Sequence, residues 1–260
     1  MELKTQASEA GHWYKIDGTP AYEVIAKGTG LPRPATLRDA KTLNLCPSVS
    51  GIIRCAAAPG LDKWKQEQVL LAALTTSRAE GETDEAYMAR IMADSKEQMI
   101  QARDKGTAIH AVLQQSYETG VQETHEYFPM VKGVHEAIAE KFGTHQWVAE
   151  KSFSNFMGYG GKCDLYTPDG IVIDFKTKDF DEQKIKKGLA WDEQAMQLIA
   201  YAFGLDVPFA RCANVFVSTT QPGLVHIHEW SPAELKKAWD MFRGLLAYWQ
   251  AKSDYAPNFD

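Results

Sequence analysis

Three residues in the second half of the chain have types and spacing that could do chemistry. Asp164 ends the run Gly161-Lys162-Cys163-Asp164, and Asp174 and Lys176 belong to Ile173-Asp174-Phe175-Lys176. Between them, Thr167-Pro168-Asp169-Gly170 is a turn signature. Proline suits the second position of a type I turn, and Gly170 suits the left-handed residue that closes a three-residue hairpin loop. That loop sets Thr167 opposite Ile171 and Asp164 opposite Asp174, with Cβ atoms ~5 Å apart. Strand alternation puts Lys176 on the face of Asp174 and sends Ile171, Ile173 and Phe175 to the other face, into the core. Two carboxylates this close repel each other. A divalent cation removes the conflict, acidifies water and stabilises charge on a phosphoryl oxygen. The lysine can then assist the nucleophile or the developing charge. The same residues also suit a solvated hairpin edge with an Asp–Lys pair, which contributes little.

The flanking sequence supplies the elements that would position this hairpin. Residues 1–45 read as irregular, broken by Gly28, Gly30, Pro32 and Pro34, with a short strand at Tyr22–Ile25. Cys46-Pro47-Ser48-Val49-Ser50 reads as a turn into a helix capped by Ser48 or Ser50 and stopped at Pro59-Gly60. Helical spacing is expected over 61–79, 83–120 and 129–142. The period then changes to that of strands at 147–153, 162–167 and 171–177. A helix over 192–203, strands at 213–218 and 225–230, and a last helix opened by Ser231-Pro232-Ala233-Glu234 complete the order. This order predicts an α/β chain: a sheet core at 143–230, a mainly helical region at 46–142 and a C-terminal helix and tail at 231–260, folded as one domain.

Composition narrows the class. The 260 residues carry 28 Lys+Arg against 34 Asp+Glu, a net charge of −6. A protein that coats duplex nucleic acid non-specifically tends to be basic, so any such binding must use a local patch or channel. A recruiting partner could also supply affinity. The four cysteines, Cys46, Cys55, Cys163 and Cys212, form no CxxC pair, which argues against a zinc ribbon or an iron–sulfur cluster. The absence of a long apolar run and of a secretory signal points to reduced thiols in a cytoplasm, without membrane association.

Here the chain resembles the RecB-like exonuclease branch of the PD-(D/E)xK nuclease superfamily. Besides the hairpin, Gly106-Thr107-Ala108-Ile109-His110 is similar to the branch's helical G-T/S-x-x-H motif. Glu150 sits on the strand before the hairpin, where the family often places a glutamate. Gln197-Leu198-Ile199-Ala200-Tyr201 is similar to its Q-x-x-x-Y motif. Pro47–Ile53, followed by Leu61-Asp62-Lys63-Trp64, is similar to segments of phage exonucleases and of the mitochondrial genome maintenance exonuclease. The resemblance spans residues 46–203, and five motifs occur in the family's order. The chain departs from the name-giving pattern at Cys163, where a proline often precedes the first acid.

The resemblance implies a restriction-endonuclease-like core with a mixed sheet flanked by helices. It implies a DNA exonuclease, cutting single-stranded or linear DNA from ends in phage-type replication or recombination. Its cofactor would be one or two Mg²⁺ or Mn²⁺ ions, held by His110, Asp164, Asp174 and the Phe175 carbonyl. Lys176 would be the catalytic lysine, Glu150 would act at the metal, and Gln197 and Tyr201 would brace the site and touch DNA. A structure-specific or restriction-type endonuclease on the same core, or a silent DNA-binding protein, are the rival readings. No GxxxxGK[ST] motor motif is present.

Several further residues admit two readings. His110, on an apolar helix stripe, is a ligand or an ordinary helical histidine. Gln194, Gln197 and Tyr201 share one helix face, turned to solvent or to phosphate. Glu150 is a strand-edge charge or a site residue. Thr107, in the helical motif, could contact DNA. Lys178 belongs to a basic run with Lys176, Lys184, Lys186 and Lys187, which is a solvated loop or a backbone contact. Tyr159, in the glycine-rich run Gly158–Gly161, is the aromatic residue best placed to stack a base in a flexible segment leading to the site.

Overall fold

A computed structural model describes residues 11–56 and 59–259. These divide into two compact units: residues up to Ala56 together with those from His110 onward, and a second unit ending at Ile109. In the larger unit, the segment read as irregular holds three short strands and a helix, β1 (Trp13–Tyr14), β2 (Glu23–Ile25, the short strand expected there), β3 (Pro32–Pro34) and α1 (Leu37–Leu43), and β4 (Cys46–Pro47) follows it. Helix α1 is closed at its start by a capping box. The Thr36 side chain accepts from the Asp39 N–H, and the Asp39 carboxylate accepts from the Thr36 N–H. The breakers at 28–34 hid this start signal.

Helix α2 (Val49–Ile53) begins on Ser48, whose hydroxyl accepts from the Gly51 N–H at 3.1 Å. The second unit comprises α3 (Pro59–Thr75) and α4 (Asp84–Glu118) as far as Ile109. Pro59 opens α3 instead of closing the helix before it, as proline does at a first helical position. The hairpin between α3 and α4 is pinned by Glu82. Its carboxylate meets Arg90 at 2.7 Å, and Arg78 and Arg90 both lie against the Tyr87 ring.

From His110 on, the end of α4 is followed by α5 (Phe128–Phe142), β5 (Val148–Asn155), β6 (Tyr159–Thr167), β7 (Ile171–Lys178), α6 (Glu182–Lys187), α7 (Asp192–Gly204), β8 (Arg211–Ser218), β9 (Val225–Glu229) and α8 (Pro232–Ser253). The main sheet has the order β5-β6-β7-β8-β9, and only the β7–β8 pair is parallel. That pair needs a crossover, and α6 and α7 supply it. Helices cover both faces, so β7 is buried from Ile171 through Phe175, which speaks against the alternative of a solvated hairpin edge. The α/β class and the mixed sheet flanked by helices are as expected. Among the described residues, no helix is long and apolar enough to cross a membrane.

One face of the sheet packs on α2, α7 and α8 through Val172, Cys212, Leu198, Ala202 and Phe242. Gly204, in the last turn of α7, lets Phe153 of β5 approach closely. A Cβ there would stand 1.9 Å from Phe153 Cε2. The Phe153 ring in turn meets Tyr159 and Tyr201 edge-on. Gly204→Ala is therefore expected to destabilise the protein by about 1–3 kcal/mol, the range for overpacking a filled core. A thermal melt unchanged within about 1 °C would refute this packing.

Candidate active site

The hairpin has the expected loop. Thr167 pairs with Ile171, Gly170 is left-handed with φ 101°, and the Ile171 N–H donates to the Thr167 hydroxyl at 3.0 Å. Pairing runs to Leu165–Ile173. One pair further, the Asp164 carboxylate accepts the Phe175 N–H at 2.8 Å. His110, on α4, brings Nδ1 to 3.5 Å from the same Asp164 oxygen and its ring to the edge of Phe175.

Asp174 has different partners. Its carboxylate lies 2.8 Å from Lys176 Nζ and accepts from Asn214 Nδ2 at 2.8 Å. Lys176 also donates to Gln197 Oε1 at 3.0 Å, and Gln197 Nε2 donates to the Tyr201 hydroxyl at 2.7 Å. A continuous line therefore runs from β7 to α7 through Asp174, Lys176, Gln197 and Tyr201. Gln197 and Tyr201 are four apart, one helical turn, and so present their polar ends side by side. The Asp174 side chain is only 3% exposed and that of Lys176 26%. Burial pushes the Asp174 carboxyl up from its ordinary 3.8 to about 6, against the pull of the Lys176 ammonium, with the nearby Asp164 charge adding to the rise.

Other residues singled out from the sequence are placed differently. Tyr159 does not lie in a flexible run. It begins β6, is fully buried, and its hydroxyl donates to the Ala200 carbonyl at 3.1 Å. Its ring lies edge-on to Phe242. Packing has claimed the aromatic surface that a base would need. Glu150 has a left-handed backbone, φ 53°, and its carboxylate pairs with Lys162. Gln194 caps α7, its Oε1 accepting the Trp191 N–H at 3.1 Å.

Lys178 lies in β7 rather than a loop. It is turned inward, with Nζ donating to the Leu189 carbonyl at 2.7 Å and sitting over the Phe216 ring. Burial, then the Lys176 charge, brings its ammonium down to about 8. The basic run after it forms the short helix α6, capped by Asp181, with Lys184 paired to Asp179. Thr107 is exposed on α4 in the second unit, its hydroxyl donating to the Arg103 carbonyl at 3.1 Å. The four cysteines are free thiols.

The sequence reading missed Asn214. Its signal was available: an asparagine between Ala213 and Val215-Phe216-Val217 in an apolar strand must bury an amide, and buried amides need partners. Among the described residues, no three His, Cys, Asp or Glu side chains converge closely enough to enclose a metal ion. The donors are nevertheless of the right kind for a small hard cation. Mg²⁺ typically takes one or two protein carboxylates and fills its other positions with water and substrate phosphate. Asp164 and Asp174, neighbours near enough for one charge to raise the other's pKa, meet that requirement.

No family model matches this chain, and no curated protein matches it. Among solved structures it is similar to an alkaline exonuclease, LHK-Exo, from Laribacter hongkongensis. That match has 15% identity and a TM-score of 0.37, over 75% of this chain and 95% of the other. The structure of LHK-Exo in complex with dAMP gives 14% identity and a TM-score of 0.35, over 72% of this chain and 88% of the other.

Proposed function

We propose that this protein is a metal-dependent DNA nuclease of the PD-(D/E)xK type that degrades linear DNA from an end. The observation that carries the reading is the placement of Lys176. Its ammonium is held between the buried Asp174 carboxylate and Gln197, on the strand that follows Asp164 across the hairpin. A purely structural ion pair would have no use for a second acid nearby or for an amide on the far side. The order of the sequence motifs agrees with this assignment.

In this reading Asp174 and Asp164 hold Mg²⁺ or Mn²⁺, with His110 alongside Asp164 and the Phe175 carbonyl as a further donor. A bound divalent ion supplies positive charge against the phosphoryl oxygens and makes water a stronger acid. The protein's own contribution is positional. Lys176 Nζ presents a proton donor toward the reacting phosphate, and Gln197 and Tyr201 stop its long side chain from wandering. His110, braced on Phe175, fixes the direction of the Asp164 carboxylate.

The deciding experiment is a gel time course on end-labelled linear single-stranded, linear duplex and circular DNA with Mg²⁺, Mn²⁺ or EDTA. Metal-dependent loss of linear DNA with circles spared is expected, and the label position gives the polarity. Cut circles would replace the exonuclease by an endonuclease. No cleavage of any substrate would overturn the enzyme reading.

The placement of Lys178 yields a further test. Its ammonium is committed to the Leu189 carbonyl, so Lys178→Met should leave the slope of log affinity against log salt for DNA unchanged. A phosphate-contacting lysine would lower that slope by about one. A measured fall of that size would return Lys178 to the DNA interface.

A further inference from the structure

The strand beside β7 carries a polar residue that the motif pattern leaves unexplained. Asn214 of β8 is in register with Asp174 and is fully buried. Its Nδ2 donates to Asp174 Oδ2 at 2.8 Å, and its Oδ1 accepts from Trp230 Nε1 at 2.8 Å. Trp230 follows β9 and is itself buried, with its backbone N–H donating to the Cys212 carbonyl at 2.9 Å. The His228 ring meets the indole edge-on.

An amide used at both ends has one favourable orientation. Turned over, Asn214 would set its NH₂ against the indole N–H and its oxygen against a carboxylate, and both contacts would repel. The indole donor therefore decides which end of Asn214 faces Asp174.

We propose that Asn214 and Trp230 are positioning residues that act in series on Asp174, fixing where Oδ2 stands so that the carboxylate cannot rotate about its Cβ. Neither residue touches substrate. The inference rests on the reading of Asp174 as a nuclease residue. It assigns a role to a strand and an aromatic residue that lie outside the resembling segment, 46–203. A core-filling role would require only volume, which leucine supplies at 214 and phenylalanine at 230.

The test compares Asn214→Leu, Trp230→Phe and the double variant with wild type. It measures kcat and KM on linear single-stranded DNA, Mn²⁺ affinity by calorimetry without DNA, and thermal stability. Asn214→Leu is expected to lower kcat roughly 10- to 100-fold and to weaken Mn²⁺ binding, the range for residues that orient a metal-site group. KM should stay within about twofold. Trp230→Phe should cost about fivefold, the size of one neutral hydrogen bond. Because Trp230 acts through Asn214, the double variant should be no worse than Asn214→Leu within about twofold. If Asn214→Leu does not fold, Asn214→Ser keeps a small donor and should show an intermediate loss in both kcat and Mn²⁺ affinity.

Additive effects, or losses that follow stability while Mn²⁺ affinity stays at the wild-type value, would overturn the inference. If Asp174→Ala abolishes cleavage while Asn214→Leu cleaves like wild type, the nuclease reading survives and the positioning role falls. A wild-type protein that neither cleaves DNA nor binds Mn²⁺ would sink the reading of the site, and this inference with it.

Discussion

Asp174→Asn is expected to reduce cleavage by roughly a thousandfold or more, and to make the metal-free protein more stable at neutral pH. The two effects share one cause. The carboxylate is almost fully buried, and its pKa rises from 3.8 to about 6. Ionisation is therefore easier in the unfolded chain than in the folded one, and the cost is fully present above pH 6. It falls as the pH drops from 6 towards 4 and vanishes below the unfolded value. At neutral pH this corresponds to about 1–3 kcal/mol. Asparagine with its carbonyl at the Oδ2 position still accepts from both Asn214 and Lys176; its NH₂ replaces the Oδ1 that Lys176 Nζ reaches at 3.1 Å, so the ammonium must turn from that donor towards Gln197. Thermal melts in EDTA should show the variant above wild type at pH 7–8, with the gap closing by about pH 4. A gap that does not depend on pH would show that Asp174 is not desolvated as described. Cleavage near the wild-type rate would remove Asp174 from the chemistry.

Lys176→Met should also remove cleavage, by roughly 10²- to 10³-fold, but its effect on stability has the opposite sign. It takes the cation from a buried carboxylate and leaves Gln197 Oε1 without its donor. Removing one partner of a fully buried pair costs about 3–5 kcal/mol; with the Lys176 side chain a quarter exposed, about 2 kcal/mol is expected at neutral pH. Without the ammonium, the folded-state carboxyl titrates higher still. Both proteins bear the same cost of ionisation between pH 4 and 6, so the extra electrostatic loss opens only as the pH rises above about 6, while the orphaned Gln197 oxygen costs the same at every pH. The double variant Asp174→Asn/Lys176→Met should recover most of the lost stability and none of the activity. Lys176→Met protein that melts like wild type at pH 8 would contradict the pairing. Retention of a tenth or more of the wild-type rate would contradict the catalytic assignment. Binding of linear DNA in EDTA should change little in either variant.

What was legible in the sequence was local. The β6–β7 hairpin follows from Pro168 and Gly170, the last helix from Ser231, Pro232 and Glu234, and α7 from its periodicity. Each of these signals acts over a few residues. Tyr159, Lys178 and Asn214 were misread or missed because their roles are set by residues far along the chain. The Tyr159 hydroxyl finds Ala200, and Asn214 finds Asp174 and Trp230. A glycine-rich run looks mobile until a strand partner pairs with it, and a lysine looks solvated until a carbonyl stands in front of it. Gln197 and Tyr201 were readable as one face because helix geometry makes i and i+4 neighbours wherever the helix ends up.

The lone parallel pair in the sheet governs when the site comes into being. The β6–β7 hairpin is complete in the nascent chain while β8 has still to be made, because Asn214 follows Asp174 by 40 residues. An uncovered hairpin leaves Asp174 in water, an ordinary surface acid beside an ordinary surface lysine. Only when the crossover closes, a step that must meet the loop entropy of the intervening segment, does α7 bring Gln197 and β8 bring Asn214. Assembly of the candidate site is thus coupled to the least local pairing in the sheet. A chain that is unfinished, clipped in the crossover or locally opened carries the hairpin motif without the Gln197 and Asn214 contacts that hold Lys176 and Asp174 in place.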